Sequence, residues 1–313
     1  MAPDVQLAIH SSTVVLNLVL AVAVGAAMAT LWLASGTTAW SAAQLRRLRH
    51  VRICATFVAI AALGSLLPFV SASMAEVPIA EAGEAMSTML GESHFGLAWK
   101  VGIGALLAAA LAAVVPISGQ RLGHVTRANL LALAAGLYTR SMVSHAAADG
   151  DLSAAIVMDW MHLCLISVWV GEVFIAGFIT LNGIVPDHAA ERAEADRYIE
   201  SLSSSATFAL AGIVVTGLFS VWHNLGGIAG LAGNAYGSVL LFKLALVALA
   251  ALLGGFNRLL VMPSLLASLR EPHASAPMAL RRFTLILRIE ALVLLAVLVA
   301  AAILSATPRA NAT

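Results

Sequence analysis

The chain has 313 residues, of which 61% are hydrophobic and 11% are charged, and its mean hydropathy is +0.95. Soluble domains contain roughly 45–50% apolar and about 25% charged residues, so this composition excludes an ordinary soluble protein and indicates a polytopic protein surrounded by membrane lipid. The formal net charge is +1, and no basic block with interleaved aromatic residues is present. Nucleic acid is therefore not an expected partner.

Long apolar segments recur along the whole chain. A helix needs about 20 largely apolar residues to cross a hydrocarbon core of ~30 Å. Eight segments meet this requirement, which predicts an all-α polytopic membrane protein with a single eight-helix transmembrane domain over residues 1–313. The predicted spans are Thr13–Ala34, Ile53–Ser71, Phe95–Pro116, Leu130–Ala147, Ala154–Leu181, Ser204–Trp222, Ser238–Leu260 and Phe283–Ser305.

Basic residues between the spans predict the orientation. The connections that follow the odd-numbered spans carry arginines, among them Arg46 after the first span and Arg282 after the seventh, whereas the other three connections contain no Lys or Arg. The positive-inside rule then places both termini in the periplasm. The most polar connection, Pro186–Ser203, lies on the cytoplasmic side and suits a short amphipathic helix or a solvated connection.

The outer ends of the predicted spans carry histidine and methionine. Residues three or four apart share a face of a helix, so Met142 is expected to point with His145. Met158, Met161 and His162 share a face in the same way. Thioether and imidazole groups together suit the soft ion Cu(I), and imidazole alone also suits Cu(II). The candidate metal residues are His94, Met142, His145, Met158, Asp159, Met161, His162 and His223.

Each of these residues also has a plainer interpretation. Methionine in a membrane helix commonly fills space, and a lone histidine can simply bond a neighbouring helix. Asp159, three residues before His162, is expected to orient that imidazole or to offset the charge of the metal. Lys100, Arg140 and Lys243 are candidate ion-pair partners for Asp159 or for acids of the outer loops.

A second set of ionisable residues lies in the inner halves of the spans. Glu172 is deep in the fifth span, and Arg288 and Glu290 begin the eighth. Carboxylates at such positions can form an exit path or a proton relay. A structural salt bridge with Arg288 or Arg258 is the favoured interpretation.

Four stretches, taken in order and with their spacing, resemble a known family. They are SHAA at 144–147, DWMHLCLISVWVGEVF at 159–174, YGSVLLFKLALVALAALLGGFNRLLVMP at 236–263 and RIEALVLLAVLVAAAILSATPRA at 288–310. They look like the copper-resistance protein D family (CopD/PcoD) of bacterial inner membranes. The resemblance implies copper handling at that membrane, usually beside a small periplasmic copper-binding protein, and it carries a ligand role onto His145 and His162. Glu172 departs from the family, in which WVGG is more usual.

The leading hypothesis is therefore a multi-pass inner-membrane protein that accepts copper at its periplasmic face and moves it across the membrane. No P-loop is present, so ATP is not expected as the direct energy source, and transport is favoured over enzymatic activity. The alternative is a b-type haem protein that carries electrons between quinol and a periplasmic acceptor, since inward histidine pairs can ligate haem. A third interpretation is a structural partner that binds neither copper nor haem.

Overall fold

The computed structural model describes residues 3–182, 188–225, 235–271 and 276–306. Within these ranges the chain forms ten α-helices and no strand. Two π-helical segments, Ala176–Thr180 and Asn257–Val261, continue α6 and α8. The helices are α1 Pro3–Leu33, α2 Ala39–Ala75, α3 Gly83–Glu92, α4 His94–Val114, α5 Gln120–Met142, α6 Ala154–Ile175, α7 Ala189–Leu225, α8 Ala235–Phe256, α9 Met262–Arg270 and α10 Ala276–Ala306.

Seven helices in the described ranges are long and apolar enough to cross a membrane: α1, α2, α4, α6, α7, α8 and α10. The protein is therefore an all-α, multi-pass membrane protein. Helix α5 is long enough, but its first turns contain Arg121, His124 and Arg127, which lower its hydropathy. It nevertheless packs inside the bundle against α4, α1 and α6.

The bounds predicted for the fourth span are wrong: the helix in this region, α5, is Gln120–Met142, so it begins about three turns earlier and ends just over one turn earlier than Leu130–Ala147. The helix ends at Met142, and Ser144 then adopts an extended conformation with φ −92° and ψ 172°. The Ser144 hydroxyl donates to Ser141 O at 2.9 Å and accepts from the Ala146 N–H at 3.2 Å. This serine starts a separate 3₁₀ turn at His145, so Met142 and His145 do not share a helical face.

Polar segments predicted as connections instead extend two helices. The basic residues from Trp40 onward form the first turns of α2, and residues 189–203 form the first turns of α7 rather than a separate short helix. Two carboxylates of α7 stabilise the start of α2: Glu194 Oε1 accepts from Thr37 N at 2.7 Å, and Glu191 Oε1 accepts from Trp40 N at 3.1 Å. Free N–H groups at a helix start favour such acceptors.

Helices α1 and α6 cross at two glycines. A Cβ atom added to Gly171 would lie 1.9 Å from Ala21 O, and one added to Gly25 would lie 2.1 Å from the Gly171 carbonyl carbon. Only glycine permits this approach of two backbones. One apolar cluster extends from the crossing into α2 and α7–α10, and a second extends into α2, α4 and α5. The crossing therefore joins the two halves of the bundle and fixes α6, which carries four of the eight candidate metal residues.

Helices α7 and α8 lie at the periphery. In the most apolar stretch of each helix, only 17% (α7) and 11% (α8) of the residues are buried within the bundle. Helix α7 packs mainly on α6, and α8 packs mainly on α10. Their separation leaves a cleft whose floor is formed by residues of α6 and α10.

Candidate functional site

Asp159 is the centre of a polar group at the end of the bundle where α5 ends and α6 begins, which we call the outer end. Ser144 Oγ lies 3.1 Å from Asp159 Oδ2, so its single proton is shared between this carboxylate and Ser141 O. Arg140 and Lys243 both interact electrostatically with the same carboxylate. Since Ser144 directly precedes His145, this hydrogen bond brings the backbone of His145 to the first turns of α6. The outer cluster comprises Arg140, Ser144, Asp159, His162, Thr216 and Lys243.

Thr216 orients the imidazole of His162. The distance between His162 Nδ1 and Thr216 Oγ1 is 2.8 Å, and Thr216 Oγ1 is also 2.7 Å from Gly212 O. Thr216 has a single hydroxyl proton, and the short distance to Gly212 O, which can only accept, favours donation of that proton to the carbonyl. In this arrangement Thr216 Oγ1 accepts the proton on Nδ1 of His162. This arrangement leaves the lone pair of Nε2 for a ligand, as in metal sites where the second ring nitrogen is held by a hydrogen bond.

Two positively charged side chains near His162 oppose the binding of a cation there. Lys243 interacts electrostatically with His162 as well as with Asp159. An arriving cation therefore meets the positive charges of Lys243 and Arg140, and Asp159 is the acid that offsets them. The sequence predicted Lys100, Arg140 and Lys243 as ion-pair partners for Asp159 or for acids of the outer loops. The charges of Arg140 and Lys243 act on Asp159, and direct ion pairs with it stay a prediction.

The three candidate methionines lie in different surroundings. Met142 is 8% exposed and packs in an apolar cluster with Ala98 and Ile156. Met158 is half-buried, and Met161 is 42% exposed. On α6, Met158 and His162 are four residues apart and share a face. The thioether that helical spacing places best for a ligand role is therefore that of Met158.

The remaining candidate histidines are scattered. His94 opens α4, and its Nε2 lies 2.9 Å from both carboxylate oxygens of Asp151, so this imidazole is paired with an acid at the surface. The side chains of His145 and His223 lie outside the described part of the structure. Among the residues that are described, no three His, Cys, Asp or Glu side chains come together in a way that holds a metal ion.

Two buried carboxyl groups form the other polar feature of the bundle. Glu172 on α6 is 1% exposed, and its Oε1 accepts from Trp32 Nε1 of α1 at 2.9 Å. Glu290 on α10 is 2% exposed, and its Oε1 accepts from Trp169 Nε1 of α6 at 3.0 Å. Both acids therefore have a neutral indole as hydrogen-bond donor, an arrangement that sequence spacing did not indicate.

The predicted salt bridges of these acids are wrong within the described ranges. Arg288 donates from Nε to Gly177 O at 2.9 Å and from Nη2 to Asn182 Oδ1 at 2.8 Å. Arg258 donates to Ser203 and Thr207 of α7. Both guanidinium groups donate to uncharged backbone, amide or hydroxyl oxygens, because a long side chain can extend toward the polar end of a helix.

Two family models match the chain. Residues 5–155 match the model described as copper resistance protein D-like, N-terminal domain, and residues 196–304 match that of copper resistance protein D. Comparisons with curated proteins and with solved structures gave no match. Most of helix α6, with Asp159, His162 and Glu172, lies between the two matched segments. Together the matches cover most of the chain, support a role in copper resistance, and show that it belongs to the copper-resistance protein D family.

Proposed function

We propose that this protein accepts copper at the periplasmic face of the bacterial inner membrane and moves it across the membrane. The observation that carries the proposal is the orientation of His162. Its Nδ1 proton is held by Thr216, so Nε2 is available to a soft metal ion. His145 is the proposed second ligand because the Ser144–Asp159 hydrogen bond brings its backbone to the first turns of α6.

Met158 and Met161 are the proposed assisting ligands, and Asp159 offsets the two neighbouring bases. Thioether and neutral imidazole favour Cu(I) as the transported form. The packing of Met142 and the pairing of His94 with Asp151 favour structural roles for those two residues. A role of His223 at the end of α7 stays part of the proposal, since helix α7 contributes Thr216 to the same cluster.

The proposed topology has eight spans, with α5 as the fourth and both termini periplasmic. The contacts of Glu194 with Thr37 and of Arg270 with Asp196 gather the arginine-bearing connections at one end of the bundle. That end is cytoplasmic by the positive-inside rule. The outer cluster then faces the periplasm, where a small periplasmic copper-binding protein is the proposed donor. The glycine crossing of α1 and α6 supports a single domain over residues 1–313.

The test is copper stoichiometry of the purified protein in detergent. His162→Ala is expected to lose a bound Cu(I) equivalent while retaining its helical content, because the substitution removes the oriented Nε2. The matched control is His50→Ala, which removes an exposed imidazole at the opposite end of the bundle. Unchanged stoichiometry in His162→Ala would contradict the proposed ligand role.

A visible spectrum of the same sample addresses the haem alternative. That alternative gains no support from the family match, which concerns copper resistance. We expect bound copper without a Soret band.

A further inference from the structure

A cavity of about 220 Å³ lies between α7 and α8. Trp169 of α6 and Glu290 of α10 line its floor, and Asn257 and Arg258 line its wall on the α8 side. At about 30 Å³ for each molecule of liquid water, this space accommodates several waters. We call it the α7–α8 cleft.

Two deeply buried polar side chains face the α7–α8 cleft. The Glu290 carboxyl is 2% exposed, and its described donor is the indole of Trp169. Asn257 is 3% exposed; its Nδ2 donates to Phe283 O at 3.4 Å, whereas its Oδ1 is buried without a hydrogen-bond partner in the described structure. A buried amide oxygen without a donor costs free energy, so a donor that enters the cleft, such as water, is favoured there.

The local backbone is arranged around this carboxyl. Gly254 has no side chain, and a Cβ atom added to it would lie 2.9 Å from Glu290 Oε1. One turn later α8 becomes π-helical over Asn257–Val261. Such π-helical segments are rare and frequently occur at functional sites. The glycine and the π segment together place the acid and the amide against the same space.

A larger cavity, of about 1050 Å³, lies beside α9. This is the end of the bundle opposite to the outer end, and we call it the inner end. Ser203, Arg258 and Leu259 line both this cavity and the α7–α8 cleft. Arg258 Nη1 donates across from α8 to Ser203 Oγ at 2.9 Å and to Thr207 Oγ1 at 2.6 Å. One arginine side chain therefore lies where the two spaces adjoin and links the two helices that border the cleft.

The charged groups around Glu290 leave it without an ionic partner in the described structure. Arg258 on α8 is directed to α7, Arg288 on α10 is directed to Gly177 O, and Glu172 on α6 accepts from Trp32 of α1. From α9, Arg270 is paired with Asp196 and Glu200. The inner half of α1 and the segment Ala176–Thr180 contribute no ionisable side chain. A buried carboxylate without a cation is costly, and a bound proton is the simplest countercharge.

We infer that the α7–α8 cleft is a proton-access path from the inner end of the bundle to Glu290, and that Arg258 closes it. Glu290 takes up a proton from water in the cleft and returns it by the same route when Arg258 releases Ser203 and Thr207. The assignment of the inner end to the cytoplasm rests on the proposed function. The path itself rests on the cleft, the buried acid and the bridging arginine.

The test is infrared difference spectroscopy of lipid-reconstituted protein, without copper, under buffers of changing pH. Glu172 is also a buried acid, so the carbonyl region is expected to contain a contribution from each of the two acids. We expect a pH-dependent carbonyl component of a protonated carboxyl group that is present in the parent protein and in Glu172→Gln and is missing from Glu290→Gln. Identical pH-dependent carbonyl bands in the parent protein and in Glu290→Gln, or the absence of any such band in Glu172→Gln, would overturn the inference. Since no copper is present, the result does not depend on whether the protein binds copper. Failure of the proton path would likewise leave the measured copper stoichiometry unchanged.

A second pair of variants keeps the test independent of the acid itself. Ala206 lines the cleft, so Ala206→Leu is expected to fill it and to slow the deuterium shift of the carboxyl band after transfer to D₂O. The control is Ala211→Leu on the exposed surface of the same helix, which is expected to leave the exchange rate unchanged. Arg258→Ala is expected to accelerate the exchange. Equal rates in Ala206→Leu and Ala211→Leu would contradict a path through the cleft.

Discussion

The outer cluster and the α7–α8 cleft lie at different depths of the same bundle, and their ionisable side chains have different partners. In the outer cluster, Asp159 is surrounded by Ser144 and two bases, and His162 is held in one tautomer by Thr216. In the cleft, Glu290 has an indole as its described donor and borders a space large enough for water. The first arrangement suits an oriented ligand for a cation, and the second suits a group that exchanges a proton. Helix α6 takes part in both.

The largest expected effect comes from the crossing that holds α6 in place. In Gly171→Ala, the added Cβ atom would meet Ala21 O, so α1 and α6 must separate. Overpacking of this kind typically costs about 1–3 kcal/mol, and a backbone clash belongs at the upper end. We expect a lower thermal midpoint and loss of both copper binding and the Glu290 exchange signal.

Gly104→Ala is the matched control, because no atom lies within 4 Å of a Cβ atom added there. It should melt like the parent protein. Equal thermal midpoints for Gly171→Ala and Gly104→Ala would show that the close crossing of α1 and α6 is not important for stability.

The second-largest expected effect concerns the charged side chains of the outer cluster and leaves the α7–α8 cleft unchanged. Asp159→Asn leaves Arg140 and Lys243 without a nearby negative charge, so it should weaken copper binding. Loss of a residue that supports a metal ligand without binding the metal typically lowers metal affinity by about 10- to 100-fold, and we expect an effect in that range. Lys243→Gln removes a positive charge near His162 and should strengthen copper binding. Titration with Cu(I) in competition with a chelator of known affinity measures both. Shifts in the same direction would contradict an electrostatic role for Asp159.

The smallest expected effect concerns the tautomer of His162. Thr216→Val keeps the shape of the side chain but removes the acceptor of the Nδ1 proton. Copper affinity should fall by about tenfold, the lower end for loss of such a partner. The Glu290 exchange signal should not change. Ser220→Ala, one turn further along α7, serves as the control because its hydroxyl donates within the helix to Thr216 O. A similar loss of affinity in this control would point to a general effect on α7.

Hydropathy in the sequence predicted most of the fold, because each span must satisfy its own backbone in lipid. It placed the helix of the predicted fourth span too late, since α5 begins with polar residues and ends where the Ser144 hydroxyl competes for backbone groups. Helical spacing grouped Met158 with His162, and both lie on α6. It also grouped Met142 with His145, and the end of α5 at Met142 separates those two positions. The indole partners of Glu172 and Glu290 depend on which helices are neighbours. A single sequence does not show that arrangement.

Copper uptake into proteoliposomes that contain an internal Cu(I) chelator tests the central claim most directly. The account predicts time-dependent accumulation with the parent protein and with His50→Ala, and loss of accumulation with His162→Ala. Accumulation by His162→Ala at the parent rate, or none with the parent protein, would contradict the claim that copper crosses the membrane through the outer cluster.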